Sequence, residues 1–289
     1  MGIVLALGAA LTYGVADFIG GLVTKRNNVL TVVFLSQLLG SVALAVSFPL
    51  LHEGNAGSEA LAWGALAGLA GSFGVIFLYA GLASSRMSVV APITAVEAAA
   101  VPVVYGLLTG ERPGAASLVG VVLALIAVTL VSSAPGLDET PASAATPAHR
   151  SAGQRSGVPQ ALVAGVSFGA FFILLGEAGA DAGMMPLLGA RLSSVGLMFL
   201  LVLVRKAPRK PAAGTLLGVA AAGILDVAAN LLYLLATREA LLSLAAVITS
   251  MYPVMTILLA RIALRERLGR LQVAGLVLAA IGVVLIGSG

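Results

Sequence analysis

The sequence predicts an all-α integral membrane protein of ten transmembrane helices, arranged as two inverted five-helix repeats. Three observations carry this. Apolar residues make up 60% of the 289 residues and charged residues only 10%. The apolar residues fall into ten long runs, and the second half of the chain repeats the first. A soluble domain carries about 25% charge, and a chain with a mean hydropathy of +1.08 has too little polar surface to face water all round. Lipid is the solvent for which it is built.

The charged residues fit that reading. There are 16 Lys+Arg against 12 Asp+Glu, a formal charge of +4 and a pI near 9.8. Nucleic acid is not implied, because the basic residues sit in short loops between apolar runs, which is how membrane topology uses them. The absence of cysteine excludes disulfides, thiolate chemistry and Cys-ligated metals. The two histidines, His52 and His149, fall in predicted loops, so neither a zinc site nor any other cofactor is expected. The chain opens directly on an apolar run, Gly2 to Val23, with no basic region before it. That pattern reads as a retained first helix and not as a cleaved signal peptide.

A membrane helix needs about 20 apolar residues. Ten runs qualify, at about 2–23, 29–51, 61–83, 88–109, 115–133, 159–178, 184–204, 212–236, 242–260 and 269–287. Short connections make successive helices antiparallel neighbours. The exception, residues 134–158, is rich in Pro, Ala, Ser and Gly without apolar period and reads as a flexible linker. It divides the chain into repeats at 1–133 and 159–289. Gly64-x-x-x-Gly68 and Gly165-x-x-x-Gly169 are small-residue spacings that let helix backbones approach closely within the bundle.

A shift of 155 residues lines the halves up. Ile93-Thr94 falls on Ile248-Thr249, Glu111-Arg112 on Glu266-Arg267, Gly114 and Gly120 on Gly269 and Gly275, and Tyr13-Gly14 on Phe168-Gly169. With one residue of slippage Tyr79 falls on Tyr233. Five is odd, so the second copy starts from the opposite side, and the loop charges reverse accordingly. Lys25 and Arg26 follow the first run, whereas Glu177 and Asp181 follow the sixth. Glu53 and Glu59 follow the second run, whereas Arg205, Lys206, Arg209 and Lys210 follow the seventh. With the loop after the first run in the cytoplasm, the basic loop residues divide 13 inside (Lys25, Arg26, Arg86, Arg150, Arg155, Arg205, Lys206, Arg209, Lys210, Arg261, Arg265, Arg267, Arg270) against 2 outside (Arg112, Arg238). The positive-inside bias then puts both termini outside, in a multi-pass protein of the cell (plasma or inner) membrane. Inverted repeats mark secondary transporters, whose solute site lies near the midplane between the halves.

At this point the chain resembles the drug/metabolite transporter superfamily, and more closely its EamA-type ten-helix family. The shared signature is Glu-Arg-x-Gly-x(5)-Gly at the last helix of each half, here Glu111-Arg112-Pro113-Gly114…Gly120 and Glu266-Arg267-Leu268-Gly269…Gly275. The family's acid-Pro pair inside the fourth helix of a half is split between the copies, as Glu97-Ala98 and Tyr252-Pro253. Its Arg inside the second helix is matched by Arg191, with Gln37 in that place in the first half. The resemblance implies a solute carrier with a central cavity, often an exporter of metabolites, amino acids or drugs.

An ionisable group near the bilayer centre costs about 2.5–3.5 kcal/mol on insertion scales and should face the bundle interior. Asp17, Glu97, Arg191 and Asp226 are the candidates. Helical spacing joins Tyr13 to Asp17; Thr94 to Glu97, Val101 and Tyr105; Thr249 to Tyr252; and Asp226 to Asn230, Tyr233 and Thr237. Tyr79 and Tyr233 are a repeat-related pair. Each has a bland reading: Thr and Tyr in membrane helices commonly bond a neighbouring backbone. Arg191 is equally readable as a structural ion pair with Asp17 or Asp226, and Asp17 as reaching headgroup water. Glu97, near the centre of its run, is the candidate for substrate or proton binding. Glu111 and Glu266, at helix starts, read as structural carboxylates on a helix dipole.

Three acids against one base suit a cation, a zwitterion or an amphipathic neutral solute. An anion would call for more than one buried base. The expected function is a secondary transporter, an exporter by resemblance, of a small organic solute such as an amino acid, metabolite or cationic compound. Protons are the candidate coupling ion, and the expected unit is a monomer or homodimer. The alternatives are a membrane enzyme or lipid-handling protein, which needs a catalytic cluster the sequence does not display, and a passive channel.

Overall fold

A computed structural model describes residues 1–24, 26–51, 57–84, 87–132, 157–208, 210–252, 254–255, 259 and 269–288, with side chains at 47–51, 79–84, 87–92, 131–132, 180, 272 and 287 excepted. Ten α-helices occur among the described residues: α1 (Gly2–Thr24), α2 (Val29–Leu51), α3 (Ser58–Ser84), α4 (Met87–Thr109), α5 (Ala115–Ser132), α6 (Val158–Gly176), α7 (Met185–Val204), α8 (Leu216–Glu239), α9 (Leu242–Thr249) and α10 (Arg270–Ser288). Six of them are long and apolar enough to cross a membrane. The linker at 134–158 lies outside the described residues save its last two positions, where α6 begins.

Local sequence sets the ends. Pro159 and Pro186 occupy the first turns of α6 and α7, where the missing N–H costs nothing. Gly110, at φ +103°, ends α4 in a conformation that a side chain would strain. Two boundaries differ from the periodicity. The eighth helix starts at Leu216 and not near 212, because Gly214 at φ +77° holds a turn ahead of it. The ninth, expected to run from 242 to 260, is interrupted after Thr249: Ser250 and Met251 form a turn, and helix appears again at Tyr252, Val254, Met255 and Leu259. Met251 N–H bonds Ile248 O at 3.1 Å and Val254 N–H bonds Met251 O at 2.9 Å, the i to i+3 spacing of a turn. The expected remainder of that helix lies largely outside the described residues.

The packing maps onto itself when every helix is advanced by five. α1 packs on α8 and α6 on α3; α2 packs on α8 and α7 on α3; α4 packs on α6 and α9 on α1. The pairs α2–α7, α4–α9 and α5–α10 are their own images. That is the pattern of two like halves related by a two-fold axis, which for five-helix units lies in the membrane plane. Glycine makes the closest seams. A Cβ at Gly64 would stand 1.9 Å from Pro186 O, one at Gly68 2.1 Å from Ala190 O, and one at Gly223 2.0 Å from Ser36 O. Helix backbones in lipid associate through such contacts because no hydrophobic force drives them together.

Candidate functional site

A cavity of about 120 Å³ lies where the halves meet. Its wall comes from α1 (Tyr13, Asp17), α2 (Gln37), α3 (Gly68 to Leu78), α6 (Phe168, Phe171, Phe172), α7 (Leu187 to Ser194), α8 (Asp226, Asn230) and Tyr252 beyond α9. The α3 residues alone span about 15 Å at 1.5 Å per residue, running toward the face where α3 ends.

One hydrogen-bonded chain joins four helices of both halves. The Tyr13 hydroxyl donates to Asn230 Oδ1 at 2.8 Å. Asn230 Nδ2 donates to Asp226 O at 2.6 Å and to Asp226 Oδ2 at 3.3 Å. Arg191 Nη2 pairs with Asp226 Oδ2 at 2.5 Å. Arg191 Nη1 donates to Gln37 Oε1, and Ser194 Oγ reaches the same oxygen at 3.4 Å. Gln37 and Arg191 hold the same place in the two repeats. A residue can touch its own repeat partner only beside the two-fold axis, so this contact locates the axis at the cavity. Satisfaction of the polar groups by one another offsets the cost of holding them at membrane depth.

The charge is not balanced. The Arg191 side chain is 7% exposed and is neutralised by Asp226, which is 35% exposed. Asp17 is exposed into the cavity, and among the described residues no basic side chain stands within ion-pair distance of it. Two acids therefore stand against one base. Aromatic rings line the same cavity. Tyr13 and Tyr252 have ring centroids 6.1 Å apart, and Phe171 and Phe172 5.6 Å apart. Gly71 and Gly74 leave the room that the rings of Phe171 and Phe168 occupy.

Of the residues the sequence singles out, the fold brings Tyr13, Asp17, Arg191, Asp226, Asn230 and Tyr252 together on the cavity wall. Others lie elsewhere. Thr94 donates to Ala161 O at 3.3 Å, and Glu97, half-buried, packs its Cβ against Gly165. Val101 packs against Gly169, and Tyr105 lies beside Glu177. That whole stripe of α4 therefore faces α6, not the cavity. Tyr233 is fully buried and donates to Phe172 O at 2.8 Å, the backbone-bonding role of the bland reading. Thr249 is fully buried with no partner for its hydroxyl among the described residues. The Tyr79 side chain lies outside them. The reading of Glu111 needs correction: its carboxylate meets the start of α9, in the other half, and not the start of its own helix. Ser72, Ser194 and the phenylalanines of α6 line the cavity as well. Ser194, one turn after Arg191, and Phe168 and Phe172, one turn apart, were visible as spacing but carried no charge to single them out.

Ten helices in two inverted halves around a central polar cavity define an integral membrane protein of the transporter class. The EamA-like transporter family model matches residues 1–133 and 155–288, and the chain belongs to that family, within the drug/metabolite transporter superfamily. The fold is similar to that of a protein of known crystal structure, with a TM-score of 0.72 and 18% sequence identity over 98% of this chain and 95% of that one. No curated protein sequence matches.

Proposed function

We propose that the protein is a secondary transporter, working as an exporter, for small organic solutes that carry a positive charge beside an apolar or aromatic part. The observation that carries this reading is Asp17, a carboxyl group on the cavity wall without a basic partner among the described residues, in a cavity also lined by rings that suit a cation or an apolar body. Proteoliposome uptake across a panel of organic cations, amino acids and organic anions, with and without a pH gradient, is the test. Cations and amphipathic zwitterions are expected to move and anions to be excluded. Transport of anions alone would overturn the reading.

Protons are the proposed coupling ion, with Glu97 as the proposed carrier. Tyr252 lines the cavity here, and Glu97 is its equivalent in the other repeat. Inverted repeats exchange conformations between the two facing states, so Glu97 takes the Tyr252 place in the opposite state. Glu97→Gln should keep the fold and lose the pH dependence of transport. Wild-type pH dependence in that variant would refute the assignment.

The proposed orientation has both termini outside and residues 134–158 in the cytoplasm. Single cysteines in this cysteine-free chain can report it. A cysteine at Ser58 should react with an impermeant maleimide outside whole cells and one at Ser143 should not. The reverse pattern would invert the topology.

A further inference from the structure

The two halves are fastened together at one end of the bundle. Gly110, at φ +103°, turns the chain back on itself after α4, and Glu111 N–H bonds Gly106 O at 2.8 Å. The carboxylate then lies over Gly106, where a Cβ would stand 2.3 Å from Oε2. From there it reaches the first turn of α9. Oε1 accepts from Leu242 N–H at 2.8 Å, both oxygens accept from Ser243 N–H at 3.3 and 3.4 Å, and the Ser243 hydroxyl donates to Oε2. The residue at the N-cap position of α9 is Leu241, which offers no side-chain acceptor. The second half therefore borrows the cap of α9 from the first half, as a charged acceptor on helix-end amides that have no partner within the helix.

What lies beneath this contact gives it a use. Between the cavity and this end of the bundle stands a packed layer in which Leu175, Tyr233, Leu234, Leu244 and Ile248 are each at most 7% exposed. Leu244 and Ile248 belong to α9, and Tyr252 on the cavity wall follows it in the chain. Gly2 lies against Ala240 and Gly176 against Leu242, so the start of α9 sits in a close-packed collar. A solute leaving toward this face must part that layer, and α9 cannot tilt away from α4 while Glu111 holds its first turn.

We propose that Glu111 and the α9 amino terminus form a latch that keeps this face closed, and that breaking it is required for the cavity to open there. Glu111 is a positioning residue and not a solute ligand. The proposal rests on the carrier reading only for its consequence, because the latch itself can be probed without any solute.

The experiment uses Leu244→Cys as reporter, in the full-length protein in detergent. Adding Glu111→Gln or Ser243→Ala should raise the rate of maleimide labelling at position 244 about tenfold, the factor expected from losing one charge-assisted hydrogen bond. Thermal unfolding run in parallel separates opening from unfolding, and Ser243→Ala serves if Glu111→Gln does not fold. Unchanged labelling in a folded variant overturns the latch, whatever the solute panel gives. In proteoliposomes, an oxidised Glu111→Cys/Ser243→Cys pair should stop transport and reduction should restore it. Equal transport by the oxidised and reduced forms would show that this end of the molecule never needs to part.

Discussion

Asp17→Asn is expected to weaken binding of organic cations by about 10–150-fold, the equivalent of about 1.5–3 kcal/mol for a hydrogen bond to a charged group. The size follows from position. Asp17 faces the cavity and has no basic partner among the described residues, so under the proposed function a solute cation would be the group that meets its charge. The same fact makes the variant stable, because removing this charge leaves no partner unpaired. A neutral solute of the same shape should bind the variant as it binds the wild type, since the aromatic wall is untouched. Asp17→Glu keeps the charge one methylene further out and should retain part of the affinity. Tryptophan-fluorescence or calorimetric titration with a cation and its neutral isostere measures the difference. Equal losses for both ligands would mean that Asp17 shapes the cavity and does not read charge.

The Arg191–Asp226 pair should show the opposite balance, large in stability and asymmetric between its members. Removing one partner of a buried ion pair typically costs about 3–5 kcal/mol, because the survivor is left charged and uncompensated, whereas replacing both by apolar groups is often neutral. The Arg191 side chain is 7% exposed and that of Asp226 is 35% exposed. Asp226→Leu strands the deeper charge, and Gln37 supplies only a neutral acceptor for it. That variant should fall near the upper end of the range. Arg191→Met strands Asp226, which can still draw water from the cavity and the Asn230 amide, so its loss should be smaller. The double variant Arg191→Met/Asp226→Leu should recover much of the stability. It should still transport poorly, because the chain of polar groups across the axis is cut. Thermal unfolding in detergent ranks the three, and a double variant no more stable than Asp226→Leu would contradict the account.

Much of this architecture was legible in residue order. Membrane helices need length and apolarity, both local properties, so the ten runs matched ten helices. The helix ends were less legible, since they depend on backbone conformation at single residues. Gly214 moved the start of α8, and a turn at Ser250 and Met251 interrupts α9 in a stretch whose apolar pattern continues. The candidate site was half legible. Ionisable groups at membrane depth carry a cost that must be met somewhere, which picked out Asp17, Arg191 and Asp226. That rule does not say which wall a side chain faces. Glu97 obeys it as well as Asp17 does, yet lies on the α4–α6 seam, because Gly165 allows α6 to close over it.

The sequence by itself determined the class of protein, the helix number, the internal duplication and its inversion. All of these follow from hydropathy, repeat register and loop charge, which need no knowledge of which helix touches which. The tertiary structure alone decided the pairings. It joined Arg191 to Asp226 and not to Asp17, set Gln37 against its own repeat partner at the two-fold axis, and left Asp17 facing the cavity. It also carried Glu111 from the helix it precedes to the helix it caps in the other half. The physical reason is common to these cases. Partners 35, 131 or 154 residues apart in the chain are chosen by how helices pack, and at these seams by where the absence of a Cβ lets two backbones meet.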